Sequence, residues 1–430
     1  MSHLSPLTGA APASLTLLEE PLPALSGALR PPFVIGPAAL TTAAMQGTDL
    51  TALLAEVHML GDEEAARAYD ISVLHQLAFQ PETAACLQAA ALTGSHLFRV
   101  RRHRAGPPAV RVLALMSPGD LMANTPLDFI TNHLDVQLDM LFMVPSQALP
   151  DTVPDHDVMI FASSEPDPVT SARMASLFRR WPRPVLNDPA LQPGLARDRL
   201  SASLTGLPSI FSPTATVVAR DALEAIAGGL VEITALMPGV GYPVLVRPIA
   251  SHAGIGLEKI DGPEALVSYL GQSGDDEYYL TPFVDYRSAD GLYRKYRVAF
   301  MEGAPFLCHM AASEHWMLHY LNAGMTRNTA DGAAKRAAEA AEMESFDTGF
   351  VARHSGAFCA LHDALGFDFY SVDCSELPDG RLLVFEADTA AIIHLMDPID
   401  LFPYKHVQMP RVFEAFEAML RRRIASAGGA

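Results

Sequence analysis

Lysine is nearly absent from this sequence. Four of its 430 residues are lysine (Lys259, Lys295, Lys335 and Lys405), and none precedes position 259. Basic charge is short overall: 30 Lys and Arg stand against 49 Asp and Glu, a formal net charge of −19. A chain this acidic is a poor match for polyanions, so neither nucleic acid nor an anionic membrane surface is expected as a partner. Cysteine is equally sparse. Cys86, Cys308, Cys359 and Cys374 are scattered, with no CxxC pair and no His at metal-ligand spacing. That argues against a disulfide framework and for buried, reduced thiols in a cytoplasmic protein. No apolar run reaches the roughly 20 residues of a membrane span. Met1 to Glu20 carries no basic stretch ahead of its apolar residues, so no secretory signal is expected.

Apolar residues are plentiful. They make up 50% of the chain against 18% charged, enough for packed cores, and the length calls for two or three domains. Residues 1 to about 45 are rich in Pro, Ala, Leu and Gly, and Pro21, Pro23, Pro31 and Pro32 interrupt any long helix. From Thr48 the spacing becomes helical. Leu50, Leu53, Leu54, Val57 and Leu60 recur on one side and Gly61 ends the run. Further helices are predicted over 62–79 and 81–92. One such helical unit cannot form a solenoid, so packing or pairing of two copies into a homodimer is its expected role. Arg101, Arg102, His103 and Arg104 read as a solvated linker.

At Val110 the texture turns α/β. Strands are predicted at 110–116, 138–144, 157–162 and 184–187, with a helix near 125–133. Strands alternating with helices imply a small parallel sheet whose ligand edge lies at the strand C-termini, where Asn124 and Thr125 fall. A second α/β region begins near Asp198. Tyr242 to Pro248 and Leu257 to Asp261 read as two strands joined by a small-residue loop, in which Gly254 and Gly256 permit close backbone approach to a phosphate. Glu277 to Asp285 reads as a strand running into an extended Thr-Pro-Phe-Val link. Near the end, Phe367 to Cys374 and Arg381 to Asp388 form a hairpin. Asp373, Glu386 and Asp388 share one face of it by strand alternation. Three clustered acids repel unless protons, arginines or a metal neutralise them, and Mg²⁺ shared with a triphosphate is the economical answer.

The order of these motifs resembles the ATP-grasp superfamily of carboxylate ligases. Within it, the chain resembles the RimK-like proteins that follow tetratricopeptide-like helices. The resemblance runs from about Val110 to Pro398, and its most distinctive portion is Tyr278 to Met325. It implies three parts: an N-terminal arm and helical module over 1–105, a small parallel-sheet pre-ATP-grasp domain over 106–195, and a two-lobed ATP-grasp domain over 196–430. The fold class is then α/β, with α+β character in the C-terminal part. Arg199 and Arg247 stand where many members have ATP-binding lysines; both keep the charge, though arginine binds as a fork. Ser251, His252, Gly254 and Gly256 match the mobile phosphate-covering loop. Phe283 and Val284 match the adenine hinge, and Asp285 is placed to accept from the ribose. Arg297 matches the arginine facing the transferred phosphate. Asp373, Glu386 and Asp388 match the magnesium ligands, the third being usually asparagine, so that Mn²⁺ or a second metal also enters consideration.

The implied chemistry passes the ATP γ-phosphoryl group to a small-molecule or peptide carboxylate, and an amine then displaces phosphate. On the substrate side, His315, His319 and Asn322 recur at helical spacing and can share one face. Substrate contact, a zinc site and structural packing all fit the two histidines, although Trp316 occupies the position where a metallopeptidase motif needs glutamate. His394, just past the acidic strand, is a further candidate for the acceptor pocket. Two other functions fit the same residues: a small-molecule kinase, and an ATP-binding sensor or scaffold without turnover.

Overall fold

The computed structural model describes residues 21–60, 63–102, 104–145, 147–164, 166–249, 251 and 254–428. Four helices open it: α1 (Pro37–Met45), α2 (Leu50–Leu60), α3 (Glu64–Leu77) and α4 (Pro81–Gly94). Strand β1 (Ala24–Ser26) pairs in parallel with β6 (Thr152–Pro154). The main sheet of this half has the order β2-β3-β5-β4-β7-β8. Its strands are β2 (Phe33–Val34), β3 (Leu97–Val100), β4 (Val110–Met116), β5 (Val136–Phe142), β7 (Val158–Phe161) and β8 (Val185–Leu186). Only the β3–β5 pairing is antiparallel. The helices between these strands are α5 (Asp128–Thr131), a single turn shorter than the sequence suggested, and α6 (Pro168–Arg180).

Alternation along the strands builds two cores. Val112, Ala114, Met140, Phe142 and Ile160 face α1–α4, where Tyr69 stacks on Phe98 at 5.0 Å and tilts against Phe142 at 5.7 Å. Leu113, Leu115, Met159 and Phe161 face Met174 and Leu177 of α6. Because β2 and β3 flank the helices in sequence and hydrogen-bond into the sheet, the chain is continuous across the expected break at residue 105.

The second half begins with α7 (Arg197–Leu204) and β9 (Ile210–Phe211). A small antiparallel lobe follows, in the order β10-β13-β11-β12, from β10 (Thr216–Ala219), β11 (Val244–Pro248), β12 (Glu258–Ile260) and β13 (Glu277–Pro282). Helices α8 (Arg220–Ala227) and α9 (Pro263–Leu270) close its core through Leu223, Ile226, Leu266 and Leu270. The large lobe is a sheet β15-β14-β16-β17-β9 built from β14 (Tyr293–Met301), β15 (Ala304–Ser313), β16 (Phe369–Glu376) and β17 (Leu382–Asp388). Helices α10 (Ala330–Ser345), α11 (Phe350–Leu365) and α12 (Lys405–Gly428) accompany it. Glu302 and Gly303 turn β14 into β15 with φ of 49° and 83°, the paired positive values a two-residue hairpin uses. One face of this sheet carries Val298, Phe300, Tyr370 and Val372 into the core; the other carries charge. Among the described residues, no helix is long and apolar enough to cross a membrane.

Candidate active site

The register of the large sheet writes the site. Arg297 of β14 lies opposite His309 of β15 on one side and Asp373 of β16 on the other, and Asp373 lies opposite Glu386 of β17. One row across four strands therefore reads His, Arg, Asp, Glu. Bulges interrupt the ladder beside Arg297 and beside Asp373. The second lets Glu386 and Asp388 face the same side as Asp373 while Val384 turns to the core, a use of bulges common next to active sites.

The three acids are not neutralised alike. Asp373 is only 3% exposed. Arg297 donates from Nε to its Oδ1 at 2.8 Å and from Nη2 to its Oδ2 at 3.0 Å, and Lys295 Nζ reaches Oδ2 at 2.7 Å. Burial pushes this carboxyl up, but Arg297 and Lys295 outweigh it and hold the group well below the usual carboxylate range. Glu386 pairs with Arg197 of α7; burial again opposes its charge, and Arg197 and then Lys295 overcome it, so its pKa falls. Among the described residues no cation pairs with Asp388. It accepts the Ala390 N–H at 2.6 Å, and burial, reinforced by Glu386, pushes it up to about 6.

Among the described residues no three His, Cys, Asp or Glu side chains converge as a metal-ligand set. Both oxygens of Asp373 carry donors from side-chain cations in this metal-free arrangement. Glu386 and Asp388 do fit a divalent ion, being neighbouring acids on one face.

Above the row sits the small lobe. Arg247 of β11 is 9% exposed and donates to the Ser251 Oγ at 3.2 Å and to the Ser251 carbonyl. Burial, then Arg197, brings its guanidinium down to about 10. Gly254 has φ of 76°, and a methyl group added there would collide with Nε2 of His319. Gly256 has φ of 66°; its carbonyl accepts from the Tyr269 hydroxyl at 2.8 Å. The loop thus touches the large lobe through His319. Burial, then Lys295, keeps that imidazole below its ordinary pKa. His252 lies outside the described residues.

Other expected residues lie elsewhere or serve the backbone. Arg199 is exposed, while Arg197 reaches Glu386; two residues on a helix are about 200° apart, so only one of them can face the site. Phe283 lies edge-on to Trp316 at 5.7 Å, with Lys259 Nζ 4.8 Å from its ring centre, and Val284 is half-buried. Asp285 is exposed and held by Arg287, which lowers its pKa. Residues 314–328 form turns instead of the helix their spacing suggested. His315 is consequently exposed and apart from His319, and Asn322 braces the turn by accepting the His319 N–H at 2.9 Å and donating to the Met317 carbonyl at 3.2 Å. Asn124 is likewise spent on the Ser117 backbone, with both bonds at 2.8 Å. Thr125 Oγ1 is buried without a partner among the described residues and lines a cavity of about 30 Å³ against Tyr69 and Asp128. That volume suits a water molecule.

His394 is half-buried, and its Nδ1 accepts the Met396 N–H at 3.1 Å, which fixes the proton on Nε2. Burial lowers its pKa to about 4 even though Asp397 opposes the shift. Behind it lies a polar knot that sequence reading missed. Buried Glu339 accepts from the hydroxyls of Tyr320 and Tyr404 at 2.8 and 2.5 Å, and Lys405 donates to Tyr320 at 2.7 Å and to Asp397 at 2.9 Å. Arg197, Lys295, His309 and Gln192 were also missed. Gln192 is 7% exposed and donates both to the Ser163 carbonyl at 2.8 Å and to Thr389 Oγ1 at 2.9 Å. It ties the ligand edge of the parallel sheet to the residue after Asp388. Lys295 had a signal: it stands two before Arg297 on a strand, hence on the same face.

No family model matches this chain, and no curated protein matches it. Solved structures to which it is similar include ligases and an ATP-grasp domain protein. They include the D-alanine–D-alanine ligase from Coxiella burnetii, at 12% identity over 74% of this chain and 97% of that one, with a TM-score of 0.44. The D-alanine–D-alanine ligase from Bacillus anthracis complexed with ATP matches at 12% identity over 73% and 98%, with a TM-score of 0.40. A RimK domain ATP-grasp protein from Sphaerobacter thermophilus matches at 17% identity over 70% and 98%, with a TM-score of 0.36.

Proposed function

We propose that this chain binds ATP between its small lobe and the charged face of its large sheet, and uses it to join a carboxylate to an amine. The observation that carries the reading is the alternating row of Arg297, Asp373 and Glu386, with Lys295 and Arg197 beside it and Arg247 above. Half-buried and buried cations gathered at the meeting of two lobes suit a polyanion whose charge must be held still. The Gly254–Gly256 loop approaches from the small lobe, and Phe283 with Val284 offers an apolar edge and backbone groups to an adenine.

In the proposed reaction a carboxylate oxygen attacks the γ-phosphorus and ADP leaves, giving an acyl phosphate. The amine then attacks the acyl carbon, phosphate leaves, and the amine proton passes to phosphate or water. Arg297 uses Nε and Nη2 on Asp373, which fixes its plane and leaves the far end of the fork for the transferring oxygens. Contact between the glycine loop and His319 excludes water from the acyl phosphate. His394, neutral with its proton on Nε2, is a donor for the acceptor substrate. Glu386 and Asp388 would hold one divalent ion, which supplies neutralising charge to the phosphates.

The test is a phosphate-release screen of acids crossed with amines, with product masses read by mass spectrometry. ADP and phosphate release that requires both substrates supports ligation. A phosphorylated acid without ligation would make the chain a kinase. Nucleotide binding with no turnover across the screen would make it a sensor or scaffold, a reading that gains some support from how fully Asp373 is already paired.

A further inference from the structure

We infer that Lys295 is a built-in cation that takes the place of a second divalent ion, so that the chain holds nucleotide with one metal ion. The inference rests on the nucleotide reading above and refines it.

Three observations converge. First, both oxygens of Asp373 are already engaged. Its Oδ2 receives both Lys295 Nζ at 2.7 Å and Arg297 Nη2 at 3.0 Å, and its Oδ1 receives Arg297 Nε at 2.8 Å. A second divalent ion chelated by both oxygens of this acid would have to displace one of these groups. Second, Lys295 is held in place. It lies opposite Ala311 of β15, its ammonium stands 5.8 Å from the Phe385 ring centre, and it shares its strand face with Arg297. Third, the cations already outnumber the acids. Lys295, Arg297, Arg197 and Arg247 face Asp373, Glu386 and Asp388, four cations against three acids before any phosphate arrives.

An ammonium is a compact charge with three donors, able to touch a carboxylate and a phosphate oxygen together. It does so without the dehydration that Mg²⁺ resists. Among the described residues Asp388 is the acid of the three with no cation paired to it, so the Glu386–Asp388 end of the row is where one metal ion belongs. The alternative is that Lys295 merely rests on Asp373 and yields to a second ion when nucleotide binds.

Counting bound Mn²⁺ separates the two. Wild type, Lys295→Ala and Lys295→Arg are saturated with the non-hydrolysable analogue AMP-PNP, and Mn²⁺ per chain is measured by electron paramagnetic resonance. Wild type and Lys295→Arg are expected to hold one ion. Lys295→Ala is expected to lose at least about tenfold in nucleotide affinity at low Mn²⁺, as removal of a charged contact implies. It should recover that affinity at high Mn²⁺ by taking a second ion. Arg297 still pairs with Asp373 in this variant, and an unchanged circular dichroism melt checks its fold. Two ions in wild type would overturn the inference while leaving the nucleotide reading intact. So would a Lys295→Ala chain that binds nucleotide and one ion as wild type does. A wild-type chain that binds no nucleotide at any Mn²⁺ concentration would overturn the nucleotide reading itself, and the inference with it.

Discussion

Asp373 and Glu386 stand side by side in the sheet, yet removing one is not equivalent to removing the other. Asp373 is the counter-charge for Lys295 and Arg297, so its loss leaves two cations without a partner. Glu386 meets Arg197 and shares its face with Asp388. Glu386→Gln should therefore abolish metal-dependent turnover with little change in fold; a phosphate-release rate equal to wild type would remove Glu386 from the site. Arg297→Ala should lower kcat by roughly a hundredfold or more if it stabilises transferring charge. A rise in KM alone would assign it to binding. At this scale the sequence is a partial guide. Arg297 entered through the resemblance, and strand alternation placed the three acids on one face of the hairpin, although a bulge beside Asp373 sets their alignment. Alternation did not show that Lys295 and Arg197 already neutralise those acids, since partners from another strand or a helix depend on register and helix phase.

The elements that frame the site differ in how clearly they could be read. The hairpins at 242–261 and 367–388 were legible, because apolar strands bounded by turn residues have few other solutions. The stretch from Ser313 to Gly324 was not. Its helical spacing is real, but its polar residues are engaged by the local backbone, as Asn322 is with His319 and Met317, and turns result. The glycine loop offers a test at this level. Gly254→Ala adds a methyl group at a φ of 76° and directly against His319. Nucleotide affinity is expected to fall, and His319→Ala in the same chain should restore part of it. If the second change restores nothing, the loop does not close on that histidine.

Across the whole molecule, the N-terminal helices are part of the core rather than an appendage. Phe98 is fully buried between Tyr69 and Phe142. Phe98→Ala should cost about 3–5 kcal/mol in unfolding free energy, measured by denaturant titration. A loss confined to the helices, with the sheet unaffected, would show that the two halves melt separately. Two buried acids in the same region make stability depend on pH. Asp70 accepts the Ile35 and Gly36 N–H groups and is pushed up to about 7 by burial; Asp128 accepts the Ala38 N–H and is pushed up to about 6. The folded chain holds these protons more tightly than the unfolded chain, where the value is near 3.8. Their stabilising contribution is complete below about pH 4 and is lost as pH rises through 6 and 7. Asp70→Asn should therefore reduce the difference in Tm between pH 5 and pH 8. An unaltered difference would mean that Asp70 ionises as it does in the unfolded chain.

The order of strands in the large sheet has a consequence for biosynthesis. β17 lies between β16 and β9, and its partner Ile210–Phe211 leaves the ribosome more than 170 residues before Leu382–Leu383 does. Until the last hairpin emerges, β14 lacks one neighbour and Arg297 and Lys295 have no Asp373 to meet. Chain closure over such separations is slow. A nascent polypeptide halted before Asp373 carries the cations of this face without their acids, so the charged face is complete only once translation has passed Asp388.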